Sequence, residues 1–146
     1  MAVRRMDNVG IVVEDLAAAI AFFAELGLKL EAEMPVEGTW VDRVVGLEGV
    51  KVDIAMLCTP DGHNKLELMQ FRSPTVIRSE PGNAPANTLG IRRIMFAVDD
   101  IDDVVARLRT HGAALLGELA QYEDSYRLCF VRGPEGIIVG LAEQLS

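Results

Sequence analysis

The stretch that decides the fold is Arg92-Arg93-Ile94-Met95-Phe96-Ala97-Val98-Asp99-Asp100-Ile101. It alternates as a strand does and ends at acidic residues that suit the start of a helix. It resembles an earlier stretch, Asp7-Asn8-Val9-Gly10-Ile11-Val12-Val13-Glu14-Asp15-Leu16. A displacement of 85 residues relates the two and also places Gly27 on Gly112 (112 − 27 = 85). The chain therefore contains two copies of one structural unit.

Each copy predicts a strand, a helix and then three strands. The apolar spacing predicts one helix over residues 16–26, closed by Gly27, and a second over about residues 101–111, closed by Gly112. A short helical turn is expected near residues 41–45. The predicted strands cover residues 6–13, 28–34, 50–57, 65–71, 92–98, 114–120, 126–131 and 137–142. The turns Pro60-Asp61-Gly62 and Pro134-Glu135-Gly136 occupy matching places in the two copies.

A proline-rich segment joins the copies. It contains Pro74, Pro81, Gly82 and Pro85 and has no apolar periodicity. We predict module one over about residues 4–72, a linker over about residues 73–89 and module two over about residues 90–146. Because either copy alone would expose a sheet face, we expect both to form a single domain over residues 1–146.

Composition excludes several classes of partner. The net charge is −8, from 14 basic and 22 acidic residues, which argues against nucleic acid and anionic membranes. The apolar run at residues 16–24 is too short to cross a bilayer, and no signal peptide is recognisable. Cys58 and Cys129 lie far apart, as expected for two buried thiols of a cytoplasmic protein rather than for a disulfide or metal pair.

The period of two along a strand separates the predicted sheet into two faces. Large apolar residues should face the helices on the outside. The inner face would then carry Asn8, Glu67, Arg93 and Gly140. Small residues on this face should leave room for a ligand; they are Gly10, Ala97, Gly140 and Ala142.

The sequence resembles the vicinal oxygen chelate superfamily, which includes glyoxalase I, bleomycin-resistance proteins, methylmalonyl-CoA epimerase and extradiol dioxygenases. The resemblance covers nearly the whole chain. Its carriers are residues 8–16, Leu66-Glu67-Leu68, residues 93–100 and residues 133–141. It implies an α+β fold of two tandem βαβββ modules, whose eight strands form a curled, cup-like mixed sheet with the helices outside. It also implies a homodimer.

Metal-dependent members of this superfamily place His, Glu, His and Glu on the first, fourth, fifth and eighth strands. The matching residues here are Asn8, Glu67, Arg93 and Gly140. Asn is a poor ligand for a transition metal, Arg keeps its proton and Gly has no side chain. We therefore predict that the cup holds no catalytic metal and that the protein needs no cofactor.

The predicted pair of Glu67 and Arg93 has two interpretations. It is either a structural ion pair in place of the lost metal, or a site in which Arg93 binds an oxyanion and Glu67 acts as a base. Asn8 is expected to line the cup. Trp40 lies in a segment expected to cover its mouth, where ligand stacking and core packing explain it equally well. Of Tyr126 and Arg127, alternation turns one inward, and either is a candidate ligand contact.

Two functions remain open at this level. The first is a protein that binds or sequesters a small organic molecule in its cup. The second is a metal-independent lyase, isomerase or epimerase that uses Glu67 as base and Arg93 as oxyanion partner. The missing metal ligands favour the first, and the charged pair in the cup keeps the second open. The chain has no nucleophile triad, P-loop or dinucleotide fingerprint.

Overall fold

The structure is a computed structural model that describes residues 2–145. The chain divides into two compact units, one ending at Ile77 and the other beginning at Arg78. This boundary falls inside the linker that the prolines predict, in a part of the chain without helix or strand between Ser73 and Arg93. Among the described residues, no helix is long and apolar enough to cross a membrane.

The first unit has the predicted order of a strand, a helix and three strands, with a second, short helix added. Its elements are β1 (Val9–Val12), α1 (Leu16–Leu26), β2 (Lys29–Glu37), α2 (Thr39–Val45), β3 (Lys51–Cys58) and β4 (Lys65–Ser73). The strands form a sheet in the order β1-β4-β3-β2, in which only the β1–β4 pair is parallel. β2 continues through Pro35, beyond its predicted end. This is tolerated because β2 is an edge strand and has a neighbour on one side only.

The second unit repeats this topology. Its elements are β5 (Arg93–Ala97), α3 (Ile101–Arg109), β6 (Ala114–Leu115), β7 (Ala120–Tyr122), β8 (Tyr126–Arg132) and β9 (Ile138–Gln144). The strand order is β5-β9-β8-β6, with β7 also paired to β8, and β5 and β9 are parallel. The sequence predicts one strand over residues 114–120. The structure has two short ones, β6 and β7, separated by a segment that contains Gly117. Residues 2–145 therefore form nine strands rather than the eight that the sequence predicts.

The start of each long helix is held by the same three contacts, which confirms the internal duplication. Asp15 caps α1 by accepting a hydrogen bond from Ala18 N, and Asp100 caps α3 by accepting one from Asp103 N. A strand side chain accepts the first helical N–H: Gln70 Oε1 from Leu16 N at 2.9 Å, and Glu143 Oε1 from Ile101 N at 2.8 Å. Val13 N donates to Met69 O and Val98 N to Ala142 O in equivalent positions.

Each unit builds a core between its sheet and its long helix. In the first unit the buried strand residues are Ile11, Ala55, Leu57, Leu66 and Leu68, opposite Phe22 and Phe23 of α1. In the second unit Cys129, Val131, Val139 and Leu141 lie on the sheet face toward α3, whose buried residues include Val104, Val105 and Leu108. Because strand residues alternate, these cores leave each sheet a second face, turned away from its long helix. We call these the first and second distal faces.

Candidate functional site

The first distal face is apolar around the carboxylate of Glu67, and Lys65, two residues earlier on β4, pairs with Glu31 at 3.1 Å. Gly10 pairs with Glu67, which pairs with Met56, so these residues lie side by side across three strands. The helix α2 covers one end of the face. Its buried Val41 belongs to a cluster with Val50 and Val52, against which four partly buried residues pack: Val36, Ile54, Met69 and Phe71.

Glu67 is half-buried on this face among apolar neighbours. In the part of residues 2–77 that the structure describes, no hydrogen bond or ion pair reaches its carboxylate. The predicted pairing of Glu67 with Arg93 stays a prediction. Asn8 lies directly before β1 and is half-buried, in keeping with a lining role.

Trp40 lies in α2 rather than in a loop, and 61% of it is exposed. Core packing therefore does not explain the position of its indole ring. Of the two explanations that the sequence offers, core packing and ligand stacking, the exposure contradicts the first and leaves the second as a prediction. Further exposed apolar side chains accompany it on and just after α2; they are Val44, Val45 and Leu47.

The second distal face carries Arg93 and its neighbours. The guanidinium of Arg93 lies over the ring of Phe130, with Cζ 4.9 Å from the ring centroid, which places both side chains on this face. Met95 and Phe130 both pair with Gly140, one from each side of β9. The side chain of Arg93 is exposed, and Met95 is 44% exposed.

Gly140 does not leave the gap that the sequence predicts. A side chain built at Gly140 would overlap the sulfur of Met95, so the Met95 thioether already occupies the space above this glycine. Gly10 is covered in a related way, because an added Cβ there would lie 3.0 Å from Met69 Cε. The two glycines are therefore contact points for methionine side chains, which are flexible and polarisable.

Tyr126 and Arg127 lie on opposite faces, as alternation requires. Tyr126 begins β8 on the distal face, where it is 44% exposed. Arg127 lies on the α3 side and forms a two-bond ion pair with Asp102, with Nη1–Oδ2 at 2.6 Å and Nη2–Oδ1 at 3.1 Å. This pairing lowers the pKa of Asp102 and raises that of Arg127. The predicted ligand contact of Arg127 stays a prediction, and its guanidinium already has a partner.

Sequence reasoning did not single out Met95, Phe130 or Arg132 as site residues. The alternation of β8 relative to β9 was the signal that could have found them. It places Phe130 and Arg132 on the same face as Arg93 once the register Phe130–Gly140 is known. That register depends on strand pairing, which a local pattern does not determine.

A family model for the Glyoxalase/Bleomycin resistance protein/Dioxygenase superfamily matches residues 5–141. The chain belongs to this superfamily. The match confirms the predicted resemblance, and the paired βαβββ units confirm the α+β fold that it implies.

Relatives of known sequence and structure agree with this membership. A glyoxalase family protein from Bacillus cereus is 55% identical, with a TM-score of 0.95 over 100% of this chain and 97% of that one. The uncharacterized protein YaeR of Escherichia coli is 27% identical over 99% of both chains. TnmS3, an antibiotic binding protein from Streptomyces, shares the fold at 21% identity, with a TM-score of 0.62 over 99% of this chain and 98% of that one.

The residues at the superfamily's metal positions do not fit a divalent ion. Asn8 and Glu67 in the first unit offer an amide and one carboxylate, whereas Arg93 and Gly140 in the second offer a cation and no side chain. Among residues 2–145, no group of three His, Cys, Asp or Glu side chains is arranged to hold a metal ion. These positions therefore supply one amide, one carboxylate and one guanidinium rather than a set of transition-metal ligands.

Proposed function

We propose that this protein binds a small organic molecule in the cup that its superfamily membership predicts, and that it does so without a divalent metal ion. The observation that carries the proposal is the donor set at the four superfamily positions, Asn8, Glu67, Arg93 and Gly140. Apolar faces with a few isolated polar groups are typical of small-molecule sites. A protein of the same fold that is named for antibiotic binding supports a binding role for such a scaffold.

We propose Asn8, Arg93, Trp40 and Tyr126 as the ligand contacts, with Arg127 as a further one. Arg93 and Tyr126 lie on the second distal face, and both are exposed. Asn8 lies directly before β1 and is half-buried, and Trp40 lies on α2 and is exposed. Arg127 would reach a ligand only after leaving Asp102, so its contribution requires breaking an existing ion pair.

Native mass spectrometry combined with elemental analysis tests this proposal. We expect the purified protein to carry a small organic molecule, or to gain one from a cell extract, and to contain no stoichiometric transition metal. Stoichiometric nickel, zinc, iron or manganese that is lost in Glu67→Ala, but kept in the control Glu33→Ala, would contradict it. Glu33 is a suitable control because it is an exposed carboxylate of β2 in the same unit.

A second candidate function is a metal-independent lyase, isomerase or epimerase. It is favoured by the half-buried carboxylate of Glu67, which has no partner in the described part of its own unit and lies on an apolar face. In this function Glu67 takes a proton from a carbon next to a carbonyl or carboxylate group. The electron pair moves onto the oxygen, which Arg93 stabilises, and the proton returns to carbon.

Hydrogen exchange distinguishes this candidate from simple binding. An enzyme of this kind would incorporate deuterium from D2O at the acidic carbon of the ligand identified by mass spectrometry. We expect Glu67→Gln to abolish incorporation and Glu33→Gln to leave it unchanged. Binding without any incorporation would leave only the first function.

We further propose a cytoplasmic homodimer that binds neither nucleic acid nor membranes. The two cysteines, Cys58 and Cys129, are free and buried, which is typical of a reducing compartment. The net charge of −8 disfavours binding to a polyanion. Light scattering after size-exclusion chromatography tests the dimer, and a mass of about one chain of 15.9 kDa would contradict it.

A further inference from the structure

We propose that the second distal face is specific for an aromatic or other flat apolar carboxylate: Arg93 binds the carboxylate group, while Met95 and Phe130 contact the apolar ring. The proposal rests on the proposed binding function and adds the chemical class of the ligand. All of the residues that carry it lie in one sheet of the second unit.

The charge of this face favours an anionic ligand. Arg93 and Arg132 both pair with Ile138, from opposite sides of β9, so two guanidinium groups flank one strand position. No residue that β5, β8 or β9 places on this face is Asp or Glu. These three strands give the face two cations and no carboxylate in a chain of net charge −8, and this charge is complementary to an anion.

Of these two arginines, Arg93 is the one whose guanidinium N–H groups are available to a ligand. Arg132 donates to Gly136 O at 3.0 Å and to Asn83 O at 3.4 Å, so backbone carbonyls hold its guanidinium. Arg93 instead lies over the Phe130 ring and makes no hydrogen bond or ion pair with the described residues of its unit. The Phe130 ring supplies no oxygen or nitrogen acceptor, so this contact leaves guanidinium N–H groups for a two-bond contact with a carboxylate.

The surface next to the Arg93 guanidinium is apolar. Ile138 is buried beneath the two arginines, and the Met95 side chain lies across Gly140 beside the Phe130 ring. Methionine sulfur and an aromatic ring both make favourable contacts with a flat unsaturated group. Arg93 and Met95 are two residues apart on β5, a spacing of about 6.6 Å along a strand, which suits a molecule with a carboxylate at one end and a ring at the other.

Isothermal titration calorimetry with four probes at millimolar concentration tests the proposal. The probes are benzoate and 2-naphthoate, which have both features, acetate, which has only the charge, and benzamide, which has only the ring. We expect the two aromatic carboxylates to bind the wild-type protein at least about ten-fold more tightly than acetate or benzamide. No binding of either aromatic carboxylate, or equal affinity for acetate, would overturn the proposal.

Variants then assign the roles of the residues. Arg93→Gln should weaken benzoate binding at least about ten-fold, whereas Arg93→Lys, which keeps the charge but loses the two-bond contact, should weaken it less. Met95→Ala should weaken 2-naphthoate and leave acetate unchanged. Arg109→Gln in α3 removes the same charge outside this face and should change neither. Equal losses in Arg93→Gln and Arg109→Gln would reduce the effect to net charge and overturn the proposal.

Two results would distinguish failure of this proposal from failure of the proposed function. If the organic molecule found by mass spectrometry is neutral or cationic, and Arg93→Gln keeps it, the protein is a small-molecule binder with a different specificity. If no organic molecule is found but aromatic carboxylates bind in an Arg93-dependent way, the specificity stands. Urea unfolding midpoints and circular dichroism of each variant show whether a loss of binding follows from loss of fold.

Discussion

Arg127 shows how a single residue can look like a ligand contact in sequence and acquire a structural partner in the fold. It follows Tyr126 at the start of β8, and alternation turns the two side chains to opposite faces. The tyrosine takes the distal face, and the arginine reaches Asp102 on α3. The pair links a strand to the helix that covers it, and both partners remain partly exposed.

This ion pair predicts a pH-dependent contribution to stability. Arg127 lowers the pKa of Asp102 in the folded state. The ion pair therefore contributes its full stabilisation at pH values above the pKa of Asp in the unfolded chain, about 3.9. This stabilisation is lost as the pH falls through the pKa of Asp102 in the folded protein. Asp102→Asn should therefore unfold at a lower urea concentration than the wild type at pH 7. The difference should shrink at acidic pH, as the folded protein takes up a proton on Asp102.

The control for this experiment is Glu118→Gln, which removes an exposed carboxylate of the same unit. It should track the wild type at both pH values. If Asp102→Asn were as stable as the wild type at pH 7, the ion pair would make no net contribution, as is common for exposed pairs.

The cysteines give a second prediction at the residue scale. Burial raises the pKa of the Cys129 thiol, so less of the reactive thiolate is present at neutral pH. Cys58 is buried as well. In the native protein, we expect both thiols to react with Ellman's reagent only as fast as the protein unfolds. In about 6 M guanidinium chloride, a concentration that unfolds most domains, both should react at once. Fast reaction of one thiol in the native protein would contradict this burial.

At the scale of elements, the helix starts are the most strictly repeated feature. Asp15 and Asp100 cap the two long helices, and Gln70 and Glu143 accept the first N–H of each. The helix ends differ, because Gly27 caps α1 with a φ of 119°, whereas α3 ends at Arg109 and has Thr110 as its cap, two residues before Gly112. The capped starts hold each long helix next to the parallel strand pair of its own unit, β1–β4 or β5–β9.

Loss of a cap should have a measurable cost. Asp100→Ala removes the acceptor for Asp103 N and leaves one N–H of the first turn of α3 without a side-chain partner. We expect the free energy of unfolding to fall by about 1 kcal/mol, measured by urea denaturation. Asp99→Ala, one residue earlier, is the matched control and should change it by less than about 0.5 kcal/mol. Equal effects of the two substitutions would show that charge, not capping, matters here.

At the scale of the whole molecule, each unit has its own core, and each core depends on a few fully buried side chains. Leu68 in the first unit and Leu108 in the second are both 0% exposed. Leu68→Ala and Leu108→Ala should each lower the free energy of unfolding by about 2–5 kcal/mol, because a cavity is added to the lost burial. Leu89→Ala is the control, since Leu89 is 95% exposed, and it should have little effect.

Much of this organisation could be predicted from local patterns. Apolar spacing with Asp15, Asp100 and Gly27 located α1 and the start of α3, because caps and periodicity act over a few residues. The predicted closure of the second helix by Gly112 was wrong, since α3 ends at Arg109 with Thr110 as its cap. The split of residues 114–120 into two strands and the extension of β2 through Pro35 were missed. Both depend on which strand lies alongside, and neighbours distant in sequence leave no local signal.

The sequence by itself determined the duplicated βαβββ plan, the superfamily and the absence of a metal-ligand set at Asn8, Glu67, Arg93 and Gly140. These follow from residue identity and from periods of 3.6 and 2 along the chain. Only the tertiary structure decided that Met95 fills the space above Gly140, that Arg93 lies over the Phe130 ring, and that Arg127 forms an ion pair with Asp102. Each of these contacts joins different strands or a strand and a helix, so strand register and helix packing determine it.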